Sequence, residues 1–582
     1  MMKFKKDYDV KIIFVVIIVI FLSTQVLYSL PSSTETLRPP IGKLGQMDVF
    51  LKTRTYSYPA GEFDIRVSNP NNNYYKTSEG GISIGLSMLH RLLYPAKEDY
   101  PNIIVAPQGE WVGKDGANLM QIYFAIACNY FIHKRNGLDN PKTKIVCRAD
   151  QVERIVEYLK SGNPYDLPNI AGYSAELMRR FQLEAIYLAD RAMIGGELQM
   201  ATPYPDMVEF ETFSSTSKEA TIGNAAIQDK GDGTFLIKED GKEKAILDGR
   251  NMKELDLQFI GVKPISNIPD FGVTFLGTSS GMDANGLSVS ETIWAGNFHI
   301  LIDPGTSALS ALKALGLSPK NMTYLVVTHM HEDHVAGALA YLQWCKDNDH
   351  PINLIIEPGI YELFKEQAKQ ILNTDLNKVY DISAILLKFY EKITLGEGDN
   401  KVTIEAIPGF HGTPVMMGRY TYKGKTISHS SDTTFDPTRF EAILRNDIPL
   451  PIRHDLLEHA KIGQDETIFD KSRVTELNEW LFKPNSSGNR PSIVIYEGGT
   501  AAPSGENTTN HTTPSDLQKL PEDLQRTIWV NHTAQLPKLQ EGNKFIFNQA
   551  IPMSTLAVNF EGSLLADVTT RLSGIRGHRA DL

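Results

Sequence analysis

Cysteine is almost missing from this chain. Only Cys128, Cys147 and Cys345 occur among 582 residues, and no CxxC pair is present. A multi-disulfide framework is excluded, and thiolate metal chemistry is disfavoured. Basic blocks are missing as well. The net charge of −11 is spread along the chain, so there is no electrostatic footprint of a nucleic-acid binder, and long polyanions are disfavoured as partners. There is no GxGxxG, no P-loop and no internal repeat, which removes the common phosphate-cradle readings. What remains is 42% hydrophobic and 22% charged residues, the composition of a globular protein. The length exceeds one ordinary domain and suggests two to four.

The N-terminus reads as a targeting segment rather than as fold. MMKFKKDYDVK carries four lysines and is followed by the apolar run IIFVVIIVIFLS. The run from Ile12 to Leu22 fits a signal-peptide core. Extended through Leu30 it approaches a membrane span, although Ser23, Thr24 and Gln25 interrupt it. The expectation is an exported protein (periplasmic, secreted or membrane-anchored), with residues 1–30 cleaved or kept as an anchor. Residues 31–45, PSSTETLRPPIGKLG, read as a linker.

Residues 46–265 read as a mixed α/β region of unknown fold and function. NIIVAP at 102–107 and KTKIVC at 142–147 have the look of short buried strands. Helical patterns cover 118–134, 149–161 and 173–192. TFLIKEDGKEKAILD, at 234–248, predicts a hairpin around an Asp-Gly turn. His90 and His133 are isolated and read as surface or core residues. After the Pro/Gly-rich hinge near 264 the texture changes. A strand in GVTFLGTSSG, a hairpin and strand ending at Asp303-Pro304-Gly305, the helix ALSALKALGL and the buried strand MTYLVV follow in turn, an α/β layer pattern.

That last strand feeds into THMHEDHVAG, which holds His329, His331, Asp333 and His334. A loop between a strand and a helix is held at both ends and can aim alternate side chains into one cavity. Imidazole with carboxylate suits Zn²⁺, and also Mn²⁺ or Fe²⁺. One ion needs about four ligands, so four donors this close, if not all on one ion, imply two ions completed from elsewhere in the chain.

THMHEDHVAG resembles the signature loop of the metallo-β-lactamase superfamily, and the resemblance covers roughly 270–560. It implies an αββα sandwich in the C-terminal half and further donors at strand ends. PGFHGTP offers His411, HSSDTT offers Asp432 and TIWVNHT offers His532, each after an apolar strand. By this resemblance one ion takes His329, His331 and His411, and the other takes Asp333, His334 and His532. Asp432 bridges them together with a water or hydroxide. Asp303 matches the family's early aspartate, which supports the site without binding metal. The implied cofactors are two divalent ions, with zinc expected and manganese or iron as alternatives. Paired cations acidify a shared water and polarise the scissile group.

The superfamily runs many chemistries, so local features must narrow the reaction. Histidine at 331, where redox diiron members carry glutamate, favours hydrolysis. Aspartate at 432 with no cysteine nearby disfavours the cysteine-containing β-lactamase type. GVTFLGTSSG, the histidine loop and KGKTISHSSDTT are similar to the branch of tRNase Z, class II cyclic-nucleotide phosphodiesterases and arylsulfatase-like enzymes. In that branch a histidine upstream of the last ligand serves as acid or charge stabiliser. His511 in NHTTPSDL matches it, with Glu497 as a candidate partner. The interval between His411 and Asp432 holds only a hairpin, where tRNA-clamping arms are usually inserted. A helical insertion follows near 437–490 and could cover the cleft as a lid. His429 is a candidate for supporting the ligands from behind. The expected activity is hydrolysis of a small phosphodiester such as a cyclic nucleotide, with Asp333 orienting the nucleophile or accepting its proton. The alternatives are a sulfatase, lactonase or β-lactamase-like hydrolase, or a binding or scaffold protein using the N-terminal region. Oligomerisation is left open.

Overall fold

The computed structural model describes residues 208–250, 257–280, 287–433 without 410 and 412, 479–498, 514–532 and 548–558 without 551. Shorter stretches before 208, among them 101–107 and 142–161, and a few isolated positions are also described. The expected targeting segment lies outside them, as do His511 and residues 434–476 of the expected insertion. No helix among the described residues is long and apolar enough to cross a membrane.

Two seven-stranded sheets form the C-terminal half. The first runs from the edge strand Ile382–Leu386 through Ile352–Ile356, Tyr324–Val327, Phe298–Ile302, Ser290–Ala295 and Phe271–Gly277 to Ser554–Ala557. Its middle is parallel, with Ile300 opposite Tyr324 and Leu325 opposite Leu354. The second runs from Lys392–Leu395 through Val402–Pro408, Met416–Tyr422, Lys425–His429, Ile493–Glu497 and Ile528–Asn531 to Asn548–Gln549.

Side-chain alternation shows how these sheets are layered. In Ile493–Glu497, Ile493 and Ile495 join the core shared with the first sheet. Val494 and Tyr496, one residue out of step, join a second cluster with Leu477, Leu481, Phe482 and Leu517. A strand buried on both faces needs apolar residues at every position, and IVIY supplies them. On the far side of the first sheet, Leu339 and Leu342 of the helix Ala338–Asp347 and Ile360 and Phe364 of the helix Pro358–Leu372 close the core. This is the αββα sandwich of the metallo-β-lactamase fold.

The N-terminal part carries its own five-stranded sheet: Val208–Thr212, Thr143–Cys147, Ile103–Val105, Ser83–Leu86 and Tyr74–Lys76 in that order. The helix Ala149–Ser161 and the hairpin Thr234–Glu239 with Lys242–Asp248 form where the patterns predict. Leu119, Met120, Ile122 and Ile126 are helical and buried, in line with the pattern at 118–134. The helical pattern at 173–192 fares differently at its end, because a strand begins at Arg191 and pairs with Glu197–Met200. Pairing across a short turn overrides helical periodicity there. Apart from Tyr173 and this strand, that stretch lies outside the described residues.

Candidate metal centre

The centre forms where strands of both sheets end. The strand Tyr324–Val327 runs into Thr328, His329 and the four-residue helix Glu332–Val335. His411 follows Val402–Pro408, Asp432 follows Lys425–His429, and His532 follows Ile528–Asn531. Met416 N donates to Thr328 O at 2.8 Å, joining the two sheets beside the site. Asp303, Ser431 and His532 adopt left-handed backbone (φ 44°, 49° and 58°), which non-glycine residues rarely hold and which clusters at functional sites.

Backbone packing sets where the histidine loop ends. Gly337 N donates to Pro304 O at 2.7 Å, and a Cβ on Gly337 would fall 2.3 Å from Gly305 O. A Cβ on Gly305 would fall 2.5 Å from Asp333 O. The two loops therefore touch backbone to backbone, and glycine on both sides is a steric requirement.

All seven proposed ligands converge. His329, His331, His411 and Asp432 form one donor group, and Asp333, His334 and His532 form another. In the first, His411 Nε2 lies 3.0 Å from His331 Nδ1, and His329 Nε2 and His411 Nε2 each lie 3.7 Å from Asp432 Oδ2. In the second, His532 Nε2 lies 3.0 Å from Asp333 Oδ2. Asp432 reaches that group too, with Oδ1 3.2 Å from His334 Nε2 and Oδ2 3.5 Å from His532 Nε2. Donors on one tetrahedral ion with bonds of about 2.0–2.1 Å are separated by roughly 3.4 Å. The observed spacings fit ligands gathered around cations, with one carboxylate common to both groups. The Nε2 atom of His329 is buried and makes no hydrogen bond among the described residues, as suits a lone pair kept for a metal.

Buried partners fix the ring orientations. Asp303 accepts from Thr328 N at 2.7 Å and from Thr328 Oγ1 at 2.5 Å, and pairs with His334 Nδ1 at 3.0 Å. This directs His334 Nε2 toward Asp432. Thr328 Oγ1 also lies 2.6 Å from Ser431 Oγ and 3.1 Å from His329 Nδ1. Changing Asp303 to Asn replaces one acceptor oxygen with a donor. Metal affinity is expected to fall by about 10–100-fold, read by competition with a chromophoric chelator. Unchanged affinity would show that His334 is oriented by other means.

Carboxylates and imidazoles at the centre shift one another in opposite directions. Burial lowers the pKa of His334, but the Asp432 and Asp333 carboxylates outweigh it and hold the imidazole well above its usual value. Burial likewise raises Asp333, yet His334 and His532 outweigh it and keep this carboxyl far below the usual carboxylate range. Burial and the charge on His334 push His329 well below the ordinary imidazole value, leaving it neutral and able to donate its lone pair.

Several supporting residues were not legible in the sequence. Glu291, fully buried in Ser290–Ala295, accepts from Asn531 Nδ2 and lies 3.7 Å from His429 Nε2. It thereby links the strand before His532 to the strand before Asp432. A lone carboxylate inside SETIWA was the available signal. His429 does stand behind the site, accepting from Ser431 N at 3.2 Å. Glu497 accepts from Thr433 N and from Thr512 N (3.3 Å), and lies 3.8 Å from His532 Nδ1. Thr512 in turn donates its hydroxyl to Thr433 O at 2.7 Å. The candidate pairing of Glu497 with His511 lies outside the described residues.

Residues 271–464 match the family model of the anti-Pycsar protein Apyc1. The chain is 30% identical over 177 residues to the anti-Pycsar protein Apyc1 of Paenibacillus sp. (strain J14), spanning 29% of this chain and 70% of that protein. It is 24% identical over 298 residues to the cAMP/cGMP-dependent 3',5'-cAMP/cGMP phosphodiesterase B of Dictyostelium discoideum, spanning 48% of this chain but only 23% of that protein. Ribonuclease Z of Mycolicibacterium gilvum (strain PYR-GCK) is 27% identical over 174 residues, spanning 28% of this chain and 61% of that protein.

Proposed function

Because the chain belongs to the family of the anti-Pycsar protein Apyc1, on the metallo-β-lactamase fold, we propose that it is a dinuclear metal-dependent hydrolase of a small phosphodiester, with a 3',5'-cyclic nucleotide as its substrate. The observation that carries this reading is the Asp432 carboxylate, which lies 3.2–3.7 Å from imidazole nitrogens of both donor groups. His329, His331, His411 and Asp432 would hold one ion, and Asp333, His334, His532 and Asp432 the other. Such ions, when bound, acidify a water molecule and neutralise charge developing on a phosphoryl group. The substrate class is suggested by the name of the Dictyostelium relative.

We assign to Asp333 the orientation of the attacking water and acceptance of its proton, since its carboxylate is buried beside His334 and His532 within the second donor group. Asp432 keeps the two donor groups in register. To His511 we assign protonation of the leaving oxygen. Its neighbour Thr512 is tied to Thr433, the residue after Asp432, which supports the assignment. Export, suggested by the apolar run Ile12–Leu22, belongs to the same proposal. So does the division into a mixed α/β region at 46–265 and a hydrolase region from 270 onward, with an insertion near 437–490.

The test is a substrate panel on the purified full chain: 3',5'-cAMP, 3',5'-cGMP, bis-p-nitrophenyl phosphate, an aryl sulfate, a lactone, a β-lactam and a precursor tRNA. A cyclic nucleotide is expected to exceed every other substrate in kcat/KM by about 10²-fold, the margin that contacts formed in the transition state can supply. Preferred cleavage of the tRNA would overturn the small-substrate reading in favour of the activity named for the ribonuclease Z relative. The net charge of −11 argues against that outcome.

A further inference from the structure

Glu332 stands in the chain between His331 and Asp333, yet it belongs to neither donor group. It is 2% exposed, and its carboxylate accepts a hydrogen bond at 3.2 Å from the hydroxyl of Tyr158, which is 1% exposed and 174 residues away. Tyr158 lies on the helix Ala149–Ser161 of the N-terminal region. That helix is tied to its own sheet, since Gln151 Nε2 donates to Pro107 O at 2.9 Å and Gln151 Oε1 accepts from Arg148 N at 3.1 Å.

Two further contacts from the N-terminal region reach the same loops. The buried Asp115 carboxylate accepts from Ser310 Oγ at 2.7 Å and from Ser310 N at 3.2 Å, just beyond the Asp303-Pro304-Gly305 turn. Gly116 packs so closely that a Cβ on it would fall 2.9 Å from Ala336 O.

The histidine loop is held at one end by Asp303 on Thr328 and at the other by Gly337 on Pro304. Its middle is the helix Glu332–Val335, of four residues, whose N-cap His331 makes no side-chain capping bond. So short a helix has no stability of its own, so its position must come from tertiary contacts. We infer that Tyr158 is a positioning residue for the metal centre, and that the N-terminal region holds the His331–Asp333 segment in register through the Tyr158–Glu332 hydrogen bond. This rests on the reading of the centre as a metal-dependent hydrolase site. It also gives the N-terminal region a role in that site. A displacement of about 1 Å in catalytic groups can cost roughly 10²-fold in rate.

The test uses the full chain with Tyr158→Phe and Glu332→Gln, measuring kcat, KM and the rate of metal loss to excess chelator. Tyr158→Phe should lower kcat by about 5–50-fold with KM within about twofold, and should release metal about 5-fold faster or more. Glu332→Gln keeps an acceptor oxygen for the tyrosine hydroxyl and should stay within about threefold of the parent in both readouts. A lower melting temperature with kcat and metal release unchanged would make Tyr158 a packing residue only and overturn the inference. Should Tyr158→Phe fail to fold, Glu332→Met decides by the same two readouts. Should the parent protein turn over nothing on the panel, the functional reading falls, while metal release still tests the positioning role by itself.

Discussion

Asp432→Asn should abolish turnover while leaving the fold in place. Asn matches the aspartate in volume, so the packing around this 1% exposed residue is kept. What changes is the charge and the capacity to serve both donor groups. Asp432 Oδ2 lies 3.7 Å from His329 Nε2 and His411 Nε2 and 3.5 Å from His532 Nε2, and Oδ1 lies 3.2 Å from His334 Nε2. Disturbing a residue that only orients a ligand costs about 10–100-fold. Removing the shared carboxylate should cost more, roughly 10³-fold or beyond in kcat/KM. For the dinuclear centre proposed above, metal analysis should fall from two ions per chain toward one. Full activity in a folded Asp432→Asn protein would remove the basis for a dinuclear hydrolase.

Stripping the protein with a chelator should have an effect of the same order, and it is the more general test. Asp333, Asp432, His329, His334, His411 and His532 are all buried, and two of them are carboxylates with few ways to be neutralised. With cations bound, the imidazoles would act as neutral donors. Without them, His334 takes up a proton, because Asp432 and Asp333 outweigh the burial that would lower its pKa. Turnover should vanish, and the melting temperature should drop, since a ligand bound only by the native state stabilises it by about 2.7–4.1 kcal/mol at 100–1,000 times its Kd. Restoring Zn²⁺, Mn²⁺ or Fe²⁺ separately identifies the working metal by the recovery of kcat. Acidification should act in the same direction as the chelator, because a proton on His334 must leave before Nε2 can bind a cation. Full turnover after exhaustive chelation would sink the proposal.

Much of the site was legible because its parts are local. HxHxDH directly after an apolar strand is a pattern in which neighbouring residues carry the meaning. His411, Asp432 and His532 were legible for a related reason, since each follows a run apolar enough to be a buried strand, and parallel strands bring their ends to one edge. The sandwich was legible from the resemblance of that loop. It is visible physically in IVIY, where consecutive apolar residues face two different cores. The supporting residues were not legible. Glu291 sits in a buried strand, Tyr158 on a helix and Glu332 inside the histidine loop itself, and nothing in the adjacent sequence names their partners.

The sequence alone determined the donor chemistry: imidazole and carboxylate rather than thiolate, gathered at strand ends, on an α/β layer pattern. That information is covalent and short-range. Only the tertiary structure decided that one carboxylate stands between the two donor groups, that Asp303 turns His334 toward it, and that Tyr158 bonds the residue between His331 and Asp333 from 174 positions away. Those pairings arise from sheet register and from the packing of a helix on a loop. They depend on where distant segments come to rest, and a local pattern of residues carries no record of it.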